Sequence, residues 1–172
     1  MFWGSFRGIY ATELTDNGLE IKKKTDGTPV LKKRICGNRF EGTNIYKRGE
    51  YYYLFASIGT CGNGATSTYQ TVVGRSKNVL GPYLDKTGRD MLYDYCEIIM
   101  SGNETWAGPG HNSILIQDDV GTDWIIYHGY KKKEAENGRY VLMDKLIWSN
   151  DGWPSVKSNA PSILEVAPYF QK

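Results

Sequence analysis

The sequence predicts an all-β chain assembled from repeated antiparallel units of the β-propeller kind, and three observations predict it. The first is a hairpin pattern. Phe40-Glu41-Gly42-Thr43-Asn44-Ile45-Tyr46-Lys47-Arg48 and Tyr51-Tyr52-Tyr53-Leu54-Phe55-Ala56-Ser57 are rich in aromatic and β-branched residues and flank a short Gly49-Glu50 turn. The second is recurrence: seventy positions after Glu41, His111-Asn112-Ser113-Ile114-Leu115-Ile116-Gln117-Asp118 leads through a turn into Asp123-Trp124-Ile125-Ile126-Tyr127-His128-Gly129. The third lies downstream of each hairpin. A further apolar run, Gln70–Ser76 in one copy and 140–146 in the other, is followed by Gly81-Pro82-Tyr83 or Gly152-Trp153-Pro154. Self-similarity at a long period, with three or four strands per unit, is the pattern of propeller blades. The period exceeds that of the short propeller repeats, so the Gly-, Asn-, Thr- and Asp-rich segments 58–68 and 84–110 are expected to be inserted loops.

Taken in order, the chain opens inside a unit. Phe2-Trp3-Gly4-Ser5-Phe6 corresponds to a second strand, Ile9-Tyr10-Ala11-Thr12-Glu13-Leu14 to a third, and no first strand precedes them. Residues 1–172 are therefore expected to form one incomplete propeller domain of roughly two and a half blades. Apolar faces and strand edges would lie open at both ends, because a blade is stable only against its neighbours. The expectation is a fragment whose N-terminal blades are missing. The alternative is that Met1 is a true start and a complementary chain supplies the remaining blades.

Charge and short motifs exclude several function classes. Lys+Arg 21 against Asp+Glu 19 gives no field that would gather nucleic acid or a membrane surface. The runs Lys22-Lys23-Lys24, Lys32-Lys33-Arg34 and Lys131-Lys132-Lys133 are short and scattered, as solvated turns are. No run reaches the ~20 apolar residues that span a bilayer. The opening Met1-Phe2-Trp3-Gly4 has neither the basic region nor the apolar core of a signal peptide. Cys36, Cys61 and Cys96 lack metal-ligand spacing and His111 and His128 are 17 apart, so no zinc site is expected. Cys36 and Cys96 read as small buried thiols. Asn103-Glu104-Thr105 fits a glycosylation acceptor, a triplet that often arises by chance.

Glu41 stands at the entry of a strand, where a side chain can look out of the end of a sheet. A lone glutamate there is ordinarily a surface residue. His111 occupies the equivalent place one unit later, so both side chains are expected to face one axis. Tyr51, Tyr53 and Trp124 read as core, since aromatic rings bury the most apolar area. Asp118, Asp119 and Asp123 are explained by a hairpin turn without a metal.

The ordered set Gly4-Ser5-Phe6-Arg7-Gly8-Ile9-Tyr10, Phe40-Glu41-Gly42-Thr43, Tyr51-Tyr52-Tyr53-Leu54-Phe55-Ala56-Ser57, Ser67-Thr68-Tyr69, Val73-Gly74-Arg75-Ser76, Gly81-Pro82-Tyr83, Gly110-His111-Asn112, Tyr127-His128 and Gly152-Trp153-Pro154 resembles the C-terminal part of the endo-1,5-α-L-arabinanases of glycoside hydrolase family 43. The resemblance runs from Met1 to about Pro154. It implies a five-bladed β-propeller with an axial cleft for arabinan or arabino-oligosaccharide, and a secreted or periplasmic place for the full-length protein. It also implies an inverting mechanism. Inversion needs an acid for the leaving oxygen and a base for water on the opposite face, with the two carboxyl groups ~6.5–9.5 Å apart. By the resemblance Glu41 is the general acid, a role that favours a partly dry cleft beside another negative charge.

The family's base comes from its first blade, and its third carboxylate from an Asp-Pro motif before the segment matching Gly4-Ser5-Phe6. No Asp-Pro occurs here, and Asp16 and Asp26 fall in turn-like stretches. His111 matches the family's axial histidine, near an ion that is commonly calcium, often through water. Calcium takes six to eight oxygens, so water must complete any such site. Cys61 and Asn63 lie on the loop that helps wall the family's cleft. Phe6 and Trp106 border Gly-containing turns and are the aromatic candidates for the cleft. Ile114 departs from the polar residue expected near the axis. Two other readings stay open: a vestigial, non-catalytic sugar-binding propeller, and a related arabinofuranosidase or xylosidase.

Overall fold

In a computed structural model, which describes residues 1–171, the chain folds into antiparallel sheets, and the helical segments are short 3-10 turns. Strands β1 (Phe2–Trp3), β2 (Ile9–Thr12) and β3 (Lys32–Cys36) form the first sheet, with β2 in the middle. Between β2 and β3 the chain makes a polar excursion held by the bridges Leu14↔Ile21 and Lys23↔Pro29. Asp26 closes a turn there by accepting from the Thr28 amide and hydroxyl at 2.8 and 2.6 Å.

The second sheet is an up-and-down meander of β4 (Glu41–Arg48), β5 (Tyr51–Ile58), β6 (Gln70–Ser76) and β7 (Glu97–Met100). Strand alternation sends its side chains to two cores. Leu54, Ala56, Ile58 and Val72 pack with Ile9, Ala11, Ile35 and Phe40 on the side of the first sheet. Tyr53, Phe55 and Val73 pack with Ile125, Tyr127 and Trp153 on the other side. A sheet buried on both faces explains why β5 reads as a nearly continuous apolar run.

The third sheet contains β8 (Trp106–Gly110), β9 (Ile116–Gln117), β10 (Asp123–Lys131) and β11 (Tyr140–Lys145). β10 pairs with β11 on one edge and with β8 and β9 on the other. A small hairpin of β12 (Ile147–Trp148) and β13 (Pro154–Ser155) follows and is tied back by Tyr53 Oη, which donates to the Gly152 carbonyl at 2.6 Å.

Two expectations are corrected. Segment 84–110 is not a loop throughout: it supplies β7, which completes the second sheet against β6, and β8, which opens the third. The short Glu97-Ile98-Ile99-Met100 run was hidden by its polar surroundings. Nor is 111–118 a continuous strand. His111 adopts φ 52, which turns the chain out of the ladder after Gly110; apart from one bond from the Ser113 amide to the Ile126 carbonyl of β10 at 2.8 Å, pairing resumes at Ile116–Gln117. Segment 58–68 is a loop as expected except for Ile58, which ends β5 paired with Gln70, and it holds one 3-10 turn at Gly64–Thr66.

Cys36 is fully buried and Cys96 packs against the same core, where burial pushes its thiol up to about 11. Asp118 closes its hairpin turn by accepting from the Val120 and Thr122 amides at 3.2 and 2.8 Å. The amide of Asn103 is engaged within the fold, donating to the Pro161 carbonyl and accepting from the Thr105 and Trp106 amides.

Candidate active site

Glu41 is the first residue of β4 and pairs with Ser57 near the end of β5. Immediately beyond it the ladder slips between Glu41 and Asn44. Gly42 lies inside this irregularity at φ +62, and a Cβ there would come within 3.1 Å of the His111 ring. A bulge of this kind re-aims the neighbouring side chain, and only glycine takes the positive φ without strain while allowing this close approach.

Both carboxylate oxygens of Glu41 are held, by residues from different parts of the fold. Tyr69, just before β6 and only 1% exposed, donates its hydroxyl to Oε1 at 2.6 Å. Ser5 Oγ donates to Oε2 at 2.8 Å. The Ser5-Phe6 turn is fixed in turn by the Phe6 amide, which donates to the Phe40 carbonyl at 2.9 Å. Burial first, then the bond to Glu41, push the Tyr69 phenol well above its ordinary range, so it remains a donor.

His111 reaches the same place from β8. Its backbone amide donates to Ser57 Oγ at 2.7 Å, and its Nδ1 lies 3.4 Å from the Tyr69 hydroxyl. Gly110 makes room for this, since a side chain there would overlap the Tyr69 ring. His128 on β10 lies against Tyr69, with ring centroids 5.8 Å apart and planes 9° from parallel, and faces His111 at 6.2 Å. Burial, and after it the charge of Arg139, push His128 down to about 4, so it is neutral at pH 7. Arg139 Nη1 approaches His128 Nε2 at 3.4 Å, while His128 Nδ1 is buried without a partner.

The structure thus brings Glu41 and His111 together. Phe6 is beside them through Ser5, 43% exposed and at φ 46. Cys61 is half-buried on the loop that follows β5. Asn63 is exposed, and its carbonyl accepts from the Thr66 amide and hydroxyl. Trp106 is not drawn into this group. It begins β8, opposite Lys131 and roughly 13 Å along the strand from Gly110. There it packs edge-on against Tyr140 with its indole N–H buried and unpartnered.

Sequence reasoning missed Ser5, Tyr69 and His128 as members of the cluster. Each lay inside a recognised motif, but nothing in their spacing showed that Ser5 and Tyr69 meet on the Glu41 carboxylate, or that His128 stacks on Tyr69.

The residues around His111 offer a limited fit to a cation. Among the described residues no three His, Cys, Asp or Glu side chains gather as metal ligands. Asn112 Oδ1, one residue from His111, and His128 Nδ1, on the ring that faces it, are buried without partners, and water ordinarily satisfies such atoms. This set suits a water-clad ion approached by one imidazole, not a cage of protein oxygens.

The family model for glycosyl hydrolases family 43 matches residues 1–154. An extracellular exo-α-(1→5)-L-arabinofuranosidase of Cellvibrio japonicus is 44% identical over 118 residues, covering 69% of this chain and 33% of the relative. An extracellular endo-α-(1→5)-L-arabinanase of Bacillus subtilis is 40% identical over 155 residues, covering 89% of this chain and 45% of the relative. Among solved structures, a Cellvibrio cellulosa α-L-arabinanase complexed with arabinohexaose superposes with a TM-score of 0.75 at 34% identity, over 92% of this chain and 52% of that one. An exo-1,5-α-L-arabinanase from a bovine ruminal metagenomic library gives 0.77 at 35% identity, over 91% and 51%. The chain therefore spans half or less of the length of these curated relatives and has their β-propeller type of fold. By sequence and by fold, the chain belongs to glycoside hydrolase family 43.

Proposed function

We propose that this chain carries the general acid of an inverting hydrolase acting on α-1,5-linked L-arabinan, and that the acid is Glu41. The observation behind this reading is the double clamp on Glu41, with Tyr69 on one oxygen and Ser5 on the other, where His111 and His128 converge. In this reading the three sheets are consecutive blades of a five-bladed propeller, roughly two and a half of them, and the cluster lies at its axis.

Glu41 delivers its proton to the glycosidic oxygen as the bond to the anomeric carbon breaks. Water adds to the opposite face, driven by a carboxylate base ~6.5–9.5 Å away, and the product is inverted. Two donors fixed before the reaction hold the carboxyl rotamer, and they remain in place to stabilise the charge left when the proton departs. We assign the base and the third carboxylate to sequence outside these 172 residues, in keeping with a chain that covers 33% and 45% of the two curated relatives above.

His111 would hold any axial ion through water, and that ion would supply fixed positive charge beside the cleft floor. Phe6, Cys61 and Asn63 are proposed as sugar neighbours near Glu41, and Trp106 as a more distant one. Both curated relatives are named extracellular, which supports secretion of the full-length protein.

The test is to supply the N-terminal half of a family relative, fused or co-expressed, and assay linear arabinan. Hydrolysis with inversion is expected with the added half and none without it, because loss of a base typically costs ~10²–10⁴-fold. Glu41→Gln in the restored protein should abolish arabinan cleavage while sparing an aryl arabinofuranoside whose leaving group needs little protonation. Arabinan cleavage unchanged by Glu41→Gln would overturn the assignment.

A further inference from the structure

We propose that the groove at the opposite end of the second sheet binds an acidic sugar, a uronate unit of a glycan. The groove, about 490 Å³, is lined by residues of β5, β6 and the segment after β6 together with Trp153. It is separate from the site above. Glu41 pairs with Ser57 at one end of the β4–β5 ladder and Arg48 with Tyr51 at the other, so Tyr51 lies roughly 20 Å along the strand from Glu41. All its walls come from within this chain, so the groove stands independently of the catalytic role given to Glu41.

Arg75 carries the argument. Its guanidinium lies between the rings of Tyr51 and Trp153, 4.4 Å from each centroid, and its Nη1 donates to the Asp151 carbonyl at 2.7 Å. Both faces are covered and one N–H is spent, so the remaining donors lie along the edge. A planar, pre-oriented guanidinium edge matches a carboxylate. Lys86 lines the same groove, 5.9 Å from the Trp153 ring.

The surrounding carboxylates are already engaged. Asp85 is buried and accepts from the Thr87 and Arg89 amides and from Arg89 Nε at 2.8 Å. Glu50 is held by Lys77 at 3.1 Å; the Asp151 carboxylate accepts from Ser149 Oγ, and that bond first, with the Lys86 charge as a lesser cause, holds it below its ordinary range, although Lys86 makes no ion-pair contact with it. Among the described ion pairs neither Arg75 nor Lys86 has a carboxylate partner.

The rest of the lining suits a sugar better than a bare anion. Asn78 uses its Oδ1 to accept from the Leu80 amide at 2.8 Å, which leaves its NH₂ for a ring hydroxyl. Pro82 and Leu84 offer apolar surface to a C–H face. Charged and polar side chains thus face an apolar wall, a make-up that suits a ligand carrying both a carboxylate and hydroxyls. The basic runs of the sequence are short and scattered, unlike a segment that follows a nucleic-acid backbone.

The test is titration of this chain with trigalacturonate, its methyl ester and inorganic phosphate at low salt, read by calorimetry and by NMR shifts of residues around Arg75. The free acid should bind about tenfold or more tightly than the ester, and weaken as salt screens the exposed charge. Lys86→Gln, an exposed change, should weaken it severalfold with unaltered thermal unfolding. Arg75→Lys should cost about tenfold by losing the planar fork; if that variant unfolds, Lys86→Gln decides. Equal binding of ester and acid, equal binding of phosphate, or no effect of Lys86→Gln would each overturn the proposal.

Discussion

The Tyr69 hydroxyl stands 2.6 Å from Glu41 Oε1 and 3.4 Å from His111 Nδ1, linking a carboxylate on the second sheet to an imidazole on the third. Tyr69→Phe keeps the ring and its stacking on His128 but deletes the donor. A hydrogen bond to a charged group contributes about 1.5–3 kcal/mol, so arabinan turnover in the restored enzyme should fall roughly 10–100-fold. If Glu41 is the acid, as proposed, the lost bond serves proton delivery: kcat should fall more than KM rises, and an aryl arabinofuranoside should be hydrolysed nearly as fast as before. Equal losses on both substrates would mean that Tyr69 only supports the fold.

Gly110 tests the same arrangement from the other side. A methyl group there would overlap the Tyr69 ring and crowd Ser57 Oγ at 3.1 Å. Gly110→Ala should therefore displace Tyr69 and break its bond to Glu41. Overpacking of this kind costs about 1–3 kcal/mol. A lowered denaturant midpoint, with the Tyr69 ring shifted in the NMR spectrum, is the expected result.

The strands were legible where side chains alternate against two cores, as in β5 and β6, because burial on both faces leaves a dense aromatic and β-branched run. Strand β7 was not, since four residues between polar loops give no periodic signal; it exists because the edge of β6 supplies its hydrogen bonds. The break after Gly110 was hidden too, because the sequence does not reveal that His111 takes a left-handed conformation. Glu41 and His111 could be placed by their equivalent positions in two units. Ser5, Tyr69 and His128 could not, because their meeting depends on how neighbouring sheets pack, a long-range property absent from local pattern.

Asp123 is a second hub of buried polarity, away from Glu41. It is 4% exposed and accepts from Tyr46 Oη at 3.0 Å, Gln117 Nε2 at 3.0 Å and Trp148 Nε1 at 2.7 Å, with Arg48 at 3.9 Å. These partners come from β4, β9 and β12, so one carboxylate joins the second sheet, the third sheet and the small hairpin. Asp123→Ala strands three donors and should cost about 3–5 kcal/mol. Asp123→Asn keeps one acceptor oxygen and should cost less. Equal midpoints for the two variants in urea would show that the hydrogen bonds are not what stabilises this junction.

His128 makes stability depend on pH in a direction that can be fixed. Its ordinary value is 6.5, and in the fold burial first, then Arg139 and His111, bring it down to about 4, while Glu41 acts weakly the other way. Between these two values the unfolded chain binds a proton that the folded chain refuses. The neutral ring therefore contributes stability that is complete above about pH 6.5, declines as pH falls, and is gone below about pH 4. Carboxylates elsewhere also titrate near the lower limit, so the informative quantity is the difference from His128→Gln, which cannot take up the proton. The unfolding midpoint of the unmodified chain should drop more steeply than that of the variant between about pH 6.5 and 4.5. Above that range the two curves should run parallel. If they stay parallel throughout, His128 is freely solvated, and its stacked position against Tyr69 and His111 is wrong.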